Sequence, residues 1–255
     1  MRIDLVGPAF RLDHLTKRFG ELTAVDQVQL CIPAGSFFGL VGPNGAGKTT
    51  LLSMAVGLIR PDSGTSVVHG HDLWQSPVPA KSALGVLLDG DMLPRRLTGS
   101  ELLSYVGLLR GLDAVTVADR SAEVLRALDL AGAADVVVAD YSTGMRKKIA
   151  LAAALLHGPS VLVLDEPFEA VDPVSAATIR SILTGYVGQG GTVVFSSHVM
   201  ALVELLCDRV AVLDGGRIVA DGTLDQVRGT GSLEDAFAHL VGARSAAESL
   251  SWFSF

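Results

Sequence analysis

The sequence predicts an α/β protein: a mainly parallel sheet, an N-terminal antiparallel β subdomain ahead of it, and a helical subdomain inserted in mid-chain. Three observations carry this. The runs Phe37-Phe38-Gly39-Leu40-Val41, Val161-Leu162-Val163-Leu164 and Thr192-Val193-Val194-Phe195 are short, continuous and apolar, as in strands covered on both faces. Val28, Leu30 and Ile32 alternate with Gln29 and Cys31, which marks a strand with one covered face. Cap residues and helical spacing then fill the stretch from Thr98 to Leu128.

Each element has its own local reason. Thr50-Leu51-Leu52-Ser53-Met54-Ala55-Val56 reads as a helix after the first apolar run. Pro61-Asp62-Ser63-Gly64 is a turn, and Ser66-Val67-Val68 a short strand after it. Thr98-Gly99-Ser100-Glu101 is a capping box that opens a helix through Leu109. Val117, Ser121, Val124, Leu125 and Leu128 share one face of a second helix, so about residues 89–145 form the helical insert. A helix around Met145 to Leu156 restores the core. Asp172-Pro173 supplies an N-cap and an N1 proline for the next helix. A hairpin pairs Val210 to Leu213 with Ile218 to Ala220, and Ser232-Leu233-Glu234-Asp235 caps a last short helix. With no repeat and no long linker, residues 1–242 read as one domain and 243–255 as a tail. The apolar tail end, Ser251-Trp252-Phe253-Ser254-Phe255, leaves folding back, docking and disorder all open.

Composition narrows the class. At 255 residues the chain can bury a substantial core, and 49% hydrophobic against 18% charged residues implies surface covered by a partner. No run approaches the roughly 18 apolar residues of a membrane span. The start Met1-Arg2-Ile3-Asp4 lacks the pattern of a secretory signal. Cys31 and Cys207 have no metal-like spacing and read as two buried thiols in a reducing compartment. A net charge of −7 argues against nucleic-acid binding.

Gly42-Pro43-Asn44-Gly45-Ala46-Gly47-Lys48-Thr49-Thr50 carries the chemistry. It matches the phosphate-loop pattern at every fixed position and sits between a strand and a helix, which defines a P-loop NTPase core. Gly42, Asn44, Gly45, Gly47 and Thr50 belong to a backbone cradle that turns N–H groups toward phosphate, helped by the helix dipole. Lys48 reaches the β- and γ-phosphates, and the Thr49 hydroxyl is a ligand for Mg²⁺. A lysine about 4 Å from a phosphate charge gains roughly 4 kcal/mol at an effective dielectric of about 20. Asp165 and Glu166 end the second apolar run. Asp165 is placed to hold Mg²⁺ and Glu166 to deprotonate an attacking water. Tyr141-Ser142-Thr143-Gly144-Met145 precedes a helix start, where by itself it reads as a good cap, and offers a second anion site.

In this order the motifs resemble the ATP-binding cassette family, the nucleotide-binding subunits of ABC transporters. The resemblance runs from about Phe10 to Val241. It implies that Ser142 and Gly144 are the Ser-x-Gly core of the family's signature and that His198 contacts the γ-phosphate. It implies also that Asp172 lies in the loop communicating between paired cassettes, a role compatible with its N-cap role. Phe19 matches the aromatic that stacks on adenine, although the residue alone reads equally as a core aromatic. Four positions depart from the family. Asp89 stands where Gln or Glu is usual and can still bind Mg²⁺ or water. Thr143 and Met145 replace the commoner Gly and Gln, and Phe168 replaces a small polar residue.

The resemblance implies a subunit that binds ATP and Mg²⁺, pairs with a second cassette, homo- or heterodimeric, and drives a membrane-spanning permease from the cytoplasmic face of the membrane. The short insert and the Ser-x-Gly-Met signature point to export. Rival readings are a soluble cassette remodelling nucleic acid or ribosomes and a non-hydrolysing partner in a heterodimer. A kinase or GTPase would share only the phosphate loop. His69-Gly70-His71 reads as a polar turn, and Arg146-Lys147-Lys148 as a solvated helix start, with contact to a nucleotide ribose left open, rather than a nucleic-acid patch.

Overall fold

The structure is a computed structural model and describes residues 7–88 and 93–242. Its first sheet is antiparallel. Strand β1 (Pro8–Phe19) turns back into β2 (Leu22–Pro33), β4 (Ser63–Val68) pairs with the other edge of β1, and β5 (His71–Asp72) closes the order β2-β1-β4-β5. The alternation in β2 is as expected, with Val28, Leu30 and Ile32 inward. Cys31 therefore faces outward and is exposed, so only Cys207 is a buried thiol. The expected turn at Pro61–Gly64 is shorter, because Ser63 already begins β4 beneath a bulge opposite Asp13 and Thr16.

The second sheet has the order β10-β9-β3-β8-β7-β6. It comprises β3 (Phe37–Val41), β6 (Leu84–Leu87), β7 (Val161–Leu164), β8 (Thr192–Ser197), β9 (Arg209–Asp214) and β10 (Arg217–Thr223). Every pairing is parallel except the β9–β10 hairpin. The continuous apolar runs are explained by two cores, one on each face. Phe38, Leu40, Val161, Val163 and Val194 join α1 (Lys48–Ala55) and the antiparallel sheet on one side. Phe37, Val41, Leu162, Leu164 and Phe195 face the remaining large helices on the other.

Those helices start where their caps are. After α2 (Pro77–Ser82), α3 (Gly99–Leu109) opens on the reciprocal Thr98–Glu101 box, and α4 (Ala114–Ala127) opens on Asp113. Ser142 caps α5 (Thr143–Leu155), and Asp172 with Pro173 starts α6 (Pro173–Gly188). The chain continues through α7 (Met200–Leu206), α8 (Leu224–Arg228) and α9 (Leu233–Val241), the last capped by Ser232. Each such cap stabilises its helix by about 1 kcal/mol. The expected turn narrows to His69-Gly70 between β4 and β5, His71 already beginning β5, and His69 Nε2 lies 2.8 Å from Ser160 Oγ. No described helix is long and apolar enough to cross a membrane.

Candidate functional site

The chain leaves β3 at Val41, wraps through Gly42 to Gly47 and enters α1 at Lys48. Gly47 is the N-cap in a left-handed conformation with φ 103, and no side chain caps α1. The first N–H groups of α1 are therefore left for an anion, in the field of the helix dipole. A Cβ on Gly47 would stand 2.3 Å from Ala24 O, and one on Gly42 2.3 Å from Leu213 O, so both positions admit only glycine. Lys48 is 7% exposed, and its Nζ donates to Gly42 O at 2.8 Å and Pro43 O at 3.2 Å. It is thus held over the cradle it would share with a phosphate.

β8 lies between β3 and β7 and brings the acids to the same sheet end. Thr49 Oγ1 donates to Asp165 Oδ2 at 2.6 Å. Ser196 Oγ donates to Asp165 Oδ1 and accepts the Glu166 N–H at 2.9 Å. Glu166 has φ 45, a left-handed conformation that costs a residue with a Cβ about 1–2 kcal/mol. Its carboxylate Oε1 lies 3.1 Å from His198 Nδ1 and 3.9 Å from Lys48 Nζ, and Lys147 Nζ donates to its carbonyl at 2.8 Å. Ser196 and Lys147 escape a motif reading. Only the register of β8 and the seating of α5 bring them here.

A cavity of about 930 Å³ joins these groups. Among the expected residues, Phe19, Asn44, Gly45, Gly47, Lys48, Thr49, Thr50, Asp165, Glu166 and His198 line it. Phe19 is 49% exposed and carries Lys17 Nζ 5.6 Å from its ring centroid, which removes the core-aromatic alternative. Gly42 lies under the wall. Ser142, Gly144 and Asp172 lie outside the cavity at the start of α5 and α6, where a Cβ on Gly144 would be 3.7 Å from Asp172 Oδ2. The Ser175 side chain, then its N–H, holds the Asp172 carboxyl below the usual range. Asp89 lies outside the described residues.

One expectation is corrected and one unexplained residue accounted for. Arg146-Lys147-Lys148 is not a solvated helix start: Arg146 and Lys147 line the cavity, and Lys148 is buried. Arg146 donates to Tyr141 O and to Thr143 Oγ1, the latter at 3.1 Å. Helical pitch turns this face toward the strand ends, which a run of charges does not disclose. Phe168, unexplained in sequence, packs edge-on against Phe195 with ring centroids 6.0 Å apart.

The donor set suits Mg²⁺. Thr49 Oγ1 and Asp165 Oδ2 are hard oxygens beside Lys48, and among the described residues no cluster of three His, Cys, Asp or Glu forms an all-protein cage. That fits an ion held jointly with substrate phosphates.

The family model of the ABC transporter matches residues 25–169, more than half of the chain. The daunorubicin resistance ATP-binding protein DrrA3 of Streptomyces coeruleorubidus is 37% identical over 220 residues, 86% of this chain and 70% of that protein. A Nod factor export ATP-binding protein I of Ralstonia nicotianae is 38% identical over 215 residues, 84% of this chain and 67% of that protein. A solved ATP-binding subunit of an ABC transporter superposes with TM-score 0.85 at 26% identity, covering 91% of this chain and 99% of its own. A dimeric cassette with bound ADP and Pi, at 24% identity and TM-score 0.78 over 84% of this chain and 98% of its own, shares the fold. The fold is that of a P-loop ATPase cassette. The chain belongs to the ABC transporter family, as an ATP-binding subunit.

Proposed function

We propose that this chain is the ATP-hydrolysing subunit of an exporter, acting peripherally at the cytoplasmic face of the membrane on a separate membrane-spanning permease. One observation carries the reading: Lys48, the Thr49–Asp165 pair, Glu166 and His198 converge in one cavity behind an exposed aromatic, Phe19. The resistance and export names of the relatives support export over import.

Phe19 offers a face for adenine, and the cradle N–H groups with Lys48 take the phosphates. Thr49 and Asp165, with Asp89 as a third candidate, would hold Mg²⁺, which when bound would supply neutralisation of phosphate charge. Glu166 Oε1 accepts the proton of the attacking water, and His198 orients that carboxylate and faces the γ-phosphate. Ser142 and Gly144 do not line their own cavity, which supports their serving the nucleotide of a second cassette. Asp172, beside Gly144, then lies at that shared boundary. Remodelling of nucleic acid and a non-hydrolysing role gain nothing from a site in which Glu166 and His198 are both present and paired.

The test is Glu166→Gln, which keeps shape but cannot accept the proton. Turnover should fall about 10²–10⁴-fold, the usual size for loss of a general base. ATP affinity should survive, and sizing chromatography with ATP and Mg²⁺ should show a dimer that persists. Near-normal phosphate release, with the permease supplied, would remove Glu166 from the role and the reading with it.

A further inference from the structure

We propose that Lys147 is a positioning residue for Glu166, tying the aim of the general base to the seating of the helix that carries Ser142 and Gly144. The proposal rests on the reading of Glu166 above. Glu166 holds φ 45, a conformation that a residue with a side chain keeps only when its surroundings fix it. Its backbone is gripped at both ends. The N–H donates to Ser196 Oγ at 2.9 Å, and the carbonyl accepts from Lys147 Nζ at 2.8 Å and, within its own turn, from the Glu169 N–H at 3.1 Å. Ser196 belongs to the rigid sheet, whereas Lys147 belongs to α5. With both bonds made, the carboxylate stands 3.1 Å from His198 Nδ1 and 3.9 Å from Lys48 Nζ. Without Lys147 the carbonyl keeps only the longer bond from Glu169, which moves with the same turn, so the turn is no longer tied to α5 and the side chain can leave the cavity axis with it.

The lysine is suited to this. Its long stem spans from the second turn of α5 to the loop after β7, and a charged donor to a carbonyl is stronger than a neutral one. Its ammonium has no carboxylate partner among the described ion pairs, so the carbonyl is its principal protein contact. Because Ser142 caps the same helix, a displacement of α5 that presents Ser142 to a second nucleotide also moves the anchor of Glu166 in its own chain. The two sites of a paired assembly would then be coupled through one side chain.

The experiment compares Lys147→Met, Lys147→Arg and wild type as full chains, measuring kcat, KM and equilibrium affinity for a fluorescent ATP analogue. Lys147→Met should lower kcat about tenfold or more, as expected for a lost charge-assisted bond, with affinity unchanged. Lys147→Arg should restore most of kcat, and in a Glu166→Gln background Lys147→Met should lower kcat no further. Lys147→Ala, which also lacks a donor, substitutes with the same expected loss if the methionine variant fails to fold. A rise in KM with kcat intact would make Lys147 a nucleotide contact and overturn the proposal. So would an unchanged kcat in Lys147→Met beside an inactive Glu166→Gln. An active Glu166→Gln is a different outcome, which fails the parent reading instead.

Discussion

His198 Nδ1 stands 3.1 Å from Glu166 Oε1. Two residues just past the ends of β7 and β8, expected to meet at the γ-phosphate, already meet each other. The contact keeps the carboxylate out of bulk solvent and pointed along the cavity, with Lys48 3.9 Å beyond it. Nucleotide binding at this site therefore enters a partly assembled constellation, and the predictions follow from which contacts it must exchange.

Lys48→Ala removes the buried cation of the cradle. Its carbonyl partners, Gly42 and Pro43, belong to the loop itself, so the fold should persist while phosphate binding is lost. ATP affinity should fall at least about a hundredfold, equivalent to about 2.8 kcal/mol. Titration with a fluorescent ATP analogue measures it, and wild-type affinity would exclude Lys48 from phosphate binding.

Ser196→Ala strips a fully buried hydroxyl that serves both acids. The Glu166 N–H and one Asp165 oxygen lose their partner, at a cost of about 1–3 kcal/mol. Urea unfolding should show a lower midpoint with an unchanged slope. A midpoint equal to wild type would mean that the hydroxyl is dispensable to the loop.

Ser142→Ala in one protomer of a mixed dimer should impair the site that holds the other protomer's nucleotide. The exposed serine is outside its own cavity and caps α5 by accepting the Met145 N–H at 3.2 Å. Site-specific turnover, read with Lys48→Ala marking one site or the other, distinguishes the cases. Loss confined to the site of the altered protomer would sink the shared-site model.

Acid should destabilise the chain in part through His157. Burial, then the charge of Arg110, pushes its ring down to about 4, although Nε2 lies 3.0 Å from Leu84 O. Unfolded, the ring returns to about 6.5 and takes a proton that the folded chain refuses. This stabilisation is complete above about pH 6.5 and is lost as pH falls toward about 4. His69, also lowered by burial, adds the same sign. Urea midpoints measured across that interval should fall less steeply for His157→Gln than for wild type, and parallel curves would assign the acid sensitivity elsewhere.

Legibility in the sequence tracked the range of the interaction. The bounds of β3 and β7 and the caps Thr98, Ser142, Asp172 and Ser232 were readable because apolar runs and cap residues act within a few positions. The cradle from Gly42 to Thr50 was readable for the same reason. Ser196 was not, because its meeting with Asp165 depends on Leu164 pairing with Phe195 across two parallel strands. The contact of Lys147 with Glu166 was not legible either, since a charge run at a helix start looks alike whether it meets solvent, a nucleotide or the loop after β7. Cys31 was legible and overlooked: its own alternation with Leu30 and Ile32 already turned it outward.

The Ala24 carbonyl that crowds Gly47 also crowds Gly216, where a Cβ would stand 2.8 Å away. Gly216 in turn donates to Ala46 O at 3.0 Å and accepts the Asp26 N–H at 2.8 Å. The phosphate loop is consequently a three-part joint, its outer jaw supplied by β2 and by the turn between β9 and β10. Such a joint is not portable. A fragment trimmed to the parallel sheet would keep every letter of the motif without the jaw that shapes it. Grafting Gly42 to Thr50 onto another strand–helix junction would transfer a spelling and leave the grip behind.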